Sequence, residues 1–210
     1  KFMKIKTIDN FLKEKDLKDL QSISLKKIGK EDVKIYHNSI DKNNNIKNDC
    51  IDKNFLIRLN KTYHEIALNL LKELKPEKVE LYDYSDFHII ETGANYKYPI
   101  HDDTPNKLLS GVIYLNPFKN SGTIFYETKS GKGKKIVEWK INRAVFFCRE
   151  DRSTWHSYEG DGLSNRIALV YNLMTNKVKE VYKIEKKSYF FGQLRHKLNP
   201  YLYRFFKIVI

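Results

Sequence analysis

Between Val79 and Leu173 the chain is built of short runs of β-branched and aromatic residues. Val79–Tyr84, Phe87–Thr92, Leu109–Leu115, Thr123–Glu127, Lys135–Trp139, Ala144–Cys148 and Arg166–Leu173 are punctuated by Gly93, Asn116-Pro117, Ser121-Gly122, Ser130-Gly131 and Gly160–Gly162. Runs of this length, bounded by turn residues at this spacing, predict strands of a sandwich or a rolled double sheet.

The sequence ahead of these runs has a different period. Leu56, Leu59, Tyr63, Ile66, Ala67, Leu70 and Leu74 recur at helical spacing and Pro76 closes the run, which predicts an amphipathic helix over 55–75. Asp9-Asn10 offers N-caps for a shorter helix carrying Phe11, Leu12, Leu17 and Leu20, and the polar stretch 40–54 reads as an exposed loop. The expected organisation over 210 residues is one domain: a helical flank at 1–78, a β core at 79–175 and a basic, aromatic extension at 176–210, with a helix broken near Pro200.

A net charge of +13 raises the question of nucleic acid, but the charge is unevenly spread. Residues 1–80 carry 18 Lys and Arg against 13 Asp and Glu, residues 81–175 carry 12 against 11, and residues 176–210 carry 9 against 2. The nearly neutral β region argues against a phosphate-tracking groove there. No apolar run reaches the ~20 residues of a membrane span. Cys50 and Cys148 lie far apart and form no disulfide framework, so the expected compartment is the cytoplasm.

Chemistry is concentrated at four positions. His101 and Asp103 are two apart and project to one face in extended chain, and strand alternation sends the competing Asp102 the other way. His156 follows several strands later, where a rolled sheet can return it to the pair. Two imidazoles and one carboxylate form the facial triad suited to non-haem Fe(II), with coordination positions left open. Taken singly, the pair also reads as a solvated turn, and His156 as a core or rim histidine. Ten residues beyond His156, Arg166 enters a strand-like run, where a buried guanidinium needs an anionic partner and suits a dicarboxylate.

These residues resemble the Fe(II)- and 2-oxoglutarate-dependent dioxygenases, in particular their prolyl-hydroxylase-like branch, over about residues 80–175. The resemblance rests on His101-Asp102-Asp103, His156 and Arg166 in order. It is extended by Gly111-Val112-Ile113-Tyr114-Leu115-Asn116-Pro117, by Ser121-Gly122-Thr123-Ile124-Phe125 and by Asn142-Arg143-Ala144-Val145-Phe146-Phe147. Ile8-Asp9-Asn10-Phe11-Leu12 is similar to a common opening of such chains. The chain departs from the pattern at Ser121, in place of a Gly, and at Glu91, where the branch often has a tyrosine.

The resemblance implies a double-stranded β-helix (jelly-roll, cupin-like) core in a mainly β fold with flanking helices. It implies Fe(II) on His101, Asp103 and His156, and 2-oxoglutarate with its distal carboxylate on Arg166. Tyr114 would assist that carboxylate, Tyr98 would border the pocket and Ile124 would form an apolar wall; as plain residues, Tyr114 and Tyr98 are core aromatics. The implied activity consumes O₂ and hydroxylates a protein or peptide side chain or a small metabolite, releasing succinate and CO₂.

Two other functions are compatible with the same core. A nucleic-acid demethylase of the superfamily typically carries Arg-x-Asn-x-x-x-Arg after the distal His; here those positions are Arg166, Ala168 and Asn172, so two of the three are missing. A β-helix binding module without turnover is the other. The Lys129–Lys135 loop reads as a solvated hairpin tip, or as a cover for an acidic partner. The aromatic extension either packs on the core or meets a membrane surface or a protein partner.

Overall fold

The computed structural model describes residues 3–210. In chain order it contains β1 (Ile5–Ile8), α1 (Glu14–Gln21), β2 (Val33–Tyr36), β3 (Asn38–Asp41), β4 (Ile46–Asn48), α2 (Lys53–Leu74) and a 3₁₀ helix at Pro76–Leu81. The core follows as β5 (Tyr84–Thr92), β6 (Lys97–His101), β7 (Lys107–Asn116), β8 (Thr123–Tyr126), β9 (Lys135–Val137), β10 (Ala144–Phe147), β11 (Trp155–Glu159) and β12 (Arg166–Met174). Two helices close it, α3 (Val178–Ile184) and α4 (Tyr189–Phe206).

The strands form two antiparallel sheets. The larger runs β1-β10-β7-β12-β5-β3-β4, with β2 also on β5, and the smaller runs β6-β11-β8-β9. Between the sheets lies a compact apolar cluster of Tyr114, Phe125, Val137, Val145 and Phe147. The Phe125 and Phe147 rings meet edge to face across it at 5.3 Å. This is the double-stranded β-helix, flanked by helices, that the sequence led us to expect.

The outer face of the large sheet is covered by α2. Asp52 caps that helix, accepting from the N–H groups of Asn54 (2.9 Å) and Phe55 (3.2 Å). Leu56, Leu59, Tyr63, Ala67, Leu70 and Leu74 are buried as the periodicity predicts, but Ile66 is 43% exposed, at the edge of the stripe. Phe11 stitches the layers, with its ring 5.3 Å from Tyr63 and 5.2 Å from Phe146 of β10.

Several local expectations are corrected. The N-terminal flank is not helix alone: β1 to β4 all join the large sheet, and β4 lies inside the stretch read as loop. Helix α1 begins four residues after Asn10; Asp9 instead binds Lys140 and Arg143, each at 2.7 Å. The first part of Val79–Tyr84 belongs to the 3₁₀ helix that starts at Pro76, and within it the Lys78 ammonium turns inward to Glu185 and to the carbonyl of Arg149, at 2.6 Å each. Finally, α4 runs on through Pro200 without a break.

Candidate metal centre

The small sheet builds the site by register. His101 ends β6 and stands directly opposite His156 of β11, which in turn stands opposite Phe125 of β8. Directly paired residues share a face, so the three side chains form one row. The imidazole centroids are 4.2 Å apart. Asp103, two residues past His101, turns its carboxylate to the same side, with one oxygen 3.9 Å from Nε2 of His156. One ligand atom from each of His101, Asp103 and His156 lies within 4.8 Å of the others.

Each group is oriented by a partner behind it. Nδ1 of His101 lies 3.0 Å from the carbonyl of Pro99, and Nδ1 of His156 lies 2.9 Å from that of Thr154. A carbonyl only accepts, so both Nδ1 atoms carry a proton, and Nε2 is the ring nitrogen each histidine turns toward a metal. Asp103 accepts from Ser110 Oγ and from Lys107 Nζ, both at 2.6 Å. Burial, then the neighbouring His156, pushes His101 down to about 3, so the imidazole is neutral at pH 7. Burial pulls the Asp103 carboxyl upward, but Lys107 and then the two histidines outweigh it, and the group stays ionised well below the usual carboxylate range. Two imidazoles and one carboxylate fit a first-row divalent metal.

Phe147 covers His156 edge-on at 4.9 Å, and Phe125 lies 6.0 Å from it. These two rings form the apolar wall expected of Ile124. Ile124 instead pairs with Ser157, one position out of the row, and so faces away from His156. Tyr98 borders the site, its ring edge-on to His101 at 4.5 Å, and burial pushes its hydroxyl up to about 12.

Arg166 opens β12 and is buried, at 8% exposure. Its guanidinium stacks on Tyr158 at 3.6 Å and lies 5.7 Å from Trp139 and 6.0 Å from Tyr114. Among the described residues it meets no carboxylate; its hydrogen bond is a long one, 3.5 Å, to the carbonyl of Ser121. Burial lowers its affinity for the proton, although guanidinium stays charged. A buried cation without an anion is the feature a carboxylate ligand would complete. Tyr114 packs beside it, but its hydroxyl is shared with Thr123 Oγ1 (2.8 Å) and donates to the carbonyl of Val137 (3.4 Å). Gly122, retained where Ser121 replaces its neighbour, has a packing reason: a Cβ there would lie 1.8 Å from the carbonyl oxygen of Val137.

The residue between the two β6-side ligands belongs to a charge network that the sequence did not reveal. Asp102 accepts a bidentate pair from Arg195 of α4, at 2.7 and 3.0 Å, and the N–H of Arg152 at 2.9 Å. Arg195 also binds Asp151 (2.6 Å), and Arg149 binds Asp151 (2.7 Å) and Glu185 (2.8 Å). Arg149 Nε donates to the backbone carbonyl of Asp103 itself at 3.1 Å. The C-terminal helices are thereby tied to the loop that carries the ligand carboxylate. The cluster Arg149-Glu150-Asp151-Arg152 was its only trace in the sequence.

Solved structures share this architecture. A prolyl-4-hydroxylase from Pseudomonas putida superposes with a TM-score of 0.56 at 13% identity, over 82% of this chain and 93% of that one. A 2OG-Fe(II) oxygenase-family oxidoreductase from Burkholderia pseudomallei gives 0.58 at 12% identity, over 81% and 84%. A prolyl hydroxylase from Trichoplax adhaerens, in complex with a hypoxia-inducible-factor peptide fragment, gives 0.52 at 14% identity, over 84% and 86%. At these identities the likeness is one of fold: the chain has the double-stranded β-helix of 2-oxoglutarate oxygenases. No family model and no curated protein matches the chain.

Proposed function

We propose that the protein is an Fe(II)- and 2-oxoglutarate-dependent dioxygenase that hydroxylates a protein or peptide side chain or a small metabolite. The observation that carries this reading is the pairing of two features: a His-Asp-His cluster with both Nε2 atoms free, and a buried Arg166 without a carboxylate. His101, Asp103 and His156 would hold Fe(II), and Arg166 would take the distal carboxylate of 2-oxoglutarate in a planar fork. The bound iron supplies oxygen activation, the net conversion being R–H, O₂ and 2-oxoglutarate to R–OH, succinate and CO₂.

The chain's own part is binding and exclusion. Phe125 and Phe147 keep water from the His156 side, and Lys107 and Ser110 hold the Asp103 carboxylate in place. A groove of about 670 Å³ is lined by Tyr96, Tyr98, Tyr158 and Tyr203; Tyr98, edge-on to His101, connects it to the ligand set, and it offers room for the substrate to be hydroxylated.

Succinate release tests the reading. Protein supplied with Fe(II), 2-oxoglutarate and O₂ should form succinate slowly without a primary substrate, and His156→Ala should form none. A wild-type protein that binds neither Fe(II) nor 2-oxoglutarate would leave a non-catalytic β-helix module as the answer.

A further inference from the structure

Helix α4 has two faces of opposite character. Its inner face docks on the protein: Gly192 and Arg195 are buried, and Tyr203 reaches Tyr98 at 5.1 Å between ring centroids and Tyr96 at 3.1 Å between hydroxyls. The outer face carries Phe191, Leu194, Leu198, Tyr201 and Phe205, spaced three and four apart and so aligned in one stripe. All five are exposed, from 42% for Leu198 to 68% for Phe205. Of the 17 exposed large apolar side chains among the described residues, 10 lie between Tyr189 and Ile210. Past the helix, Lys207 adopts a left-handed φ of 56° and turns the chain back; Ile210 N–H donates to Asn199 at 2.7 Å, so the exposed Ile208 and Ile210 extend the same surface.

The charges around this stripe select its occupant. Helix α4 contains no Asp or Glu, and Lys197 and Arg204 flank the stripe, both exposed. Beside the helix, a groove of about 770 Å³ is lined by Lys129, Arg152 and Lys187 together with Trp155 and Phe191; the acid on its lining, Asp151, is already paired with Arg149 and Arg195. None of Lys129, Arg152 and Lys187 forms an ion pair among the described residues; Lys129 donates to the carbonyl of Val209 and sits over the Trp155 ring at 5.5 Å. A second copy of the helix would bring like charges together, which is unfavourable. An anionic phospholipid surface satisfies both features, taking aromatic and aliphatic side chains at the headgroup boundary and phosphates at the cations. No helix among the described residues is long and apolar enough to cross a membrane, so contact at α4 would be in the plane of the surface.

We propose that α4 and the returning 207–210 segment dock the protein on an anionic membrane surface, with Lys129, Arg152 and Lys187 receiving lipid phosphate. The test is flotation of the full chain with vesicles of phosphatidylcholine alone, or of phosphatidylcholine with about 30% phosphatidylglycerol. Wild-type protein should float with the anionic vesicles only, and salt should release it. Each basic group near such a surface is worth about a factor of five, so Lys197→Gln with Arg204→Gln should weaken partitioning about thirty-fold. Phe191→Ser with Phe205→Ser should weaken it at least about ten-fold. These side chains are exposed, and an unchanged thermal midpoint verifies that each variant folds. Wild-type protein that floats with neither vesicle, or equally with both, overturns the proposal without recourse to any variant. So does a concentration-dependent dimer that the Phe191/Phe205 variant abolishes, since the stripe would then be covered by a second copy.

Discussion

Truncating Arg166 to alanine separates a ligand clamp from a structural arginine, because the two roles predict effects of different size on the free protein. A buried arginine that holds a carboxylate leaves that carboxylate stranded when removed, at a cost of about 3–5 kcal/mol. Arg166 strands nothing: it faces Tyr158 at 3.6 Å and has only a 3.5 Å hydrogen bond to the Ser121 carbonyl. Its removal forfeits a cation–π contact of about 1–2 kcal/mol and relieves an unpaired buried charge, so stability should change by no more than about 1–2 kcal/mol in either direction.

Cosubstrate binding should respond far more strongly. A charge-assisted, water-shielded contact costs about 2–5 kcal/mol when one partner is cut away. At 1.36 kcal/mol per decade, 2-oxoglutarate affinity should fall roughly thirty-fold to several thousand-fold. Lysine at 166 should recover part of the loss, since a point charge cannot reproduce the fork. The assay is anaerobic titration of 2-oxoglutarate into the Fe(II) protein, followed by the metal-to-ligand charge-transfer band, with urea unfolding of the same variant alongside. Unchanged cosubstrate affinity, or a stability loss above about 3 kcal/mol, would refute the reasoning.

Three further outcomes follow from the geometry. Arg195→Ala removes the bidentate partner of a fully buried Asp102 carboxylate and should cost about 3–5 kcal/mol in urea unfolding; a loss under about 1 kcal/mol would mean that Arg149 and the Arg152 N–H suffice. His101, pushed down to about 3 in the folded protein, takes up its proton earlier when unfolded, near pH 6.5. Metal-free protein should therefore hold this contribution above pH 6.5 and lose up to about 4–5 kcal/mol as pH falls toward 3. His101→Gln should flatten the profile, and an unflattened profile would assign the acid sensitivity elsewhere. Gly192→Ala lies inside a helix, where alanine ordinarily gains about 1 kcal/mol, yet its Cβ would sit 2.2 Å from Cζ of Tyr182. Calorimetry should show a loss of about 1–3 kcal/mol instead.

Much of this molecule was legible in one dimension because the interactions that specify it are local or periodic. The leucine stripe of α2, its closure at Pro76 and the turn residues between core strands follow from propensities that act within a few residues. Strand alternation carries only as far as His101, where β6 ends; Asp103 lies past the strand, yet its carboxylate turns to the histidines while Asp102 turns to Arg195. Three things were decided only by tertiary contact. Ile124 and Phe125 differ by one position, and a one-residue uncertainty in where β8 starts exchanges the faces of both; pairing of Phe125 with His156 sets the phase. Strands β1 to β4 are three or four residues long and too weakly patterned to stand alone; β1, β2 and β3 find their partners β10 and β5 far along the chain, and β4 joins the sheet only through β3. The network joining Asp102, Arg149, Asp151, Glu185 and Arg195 unites residues up to 93 positions apart. Charges carry no period, and only the folded chain brings them within reach of one another in a medium dry enough for the pairing to matter.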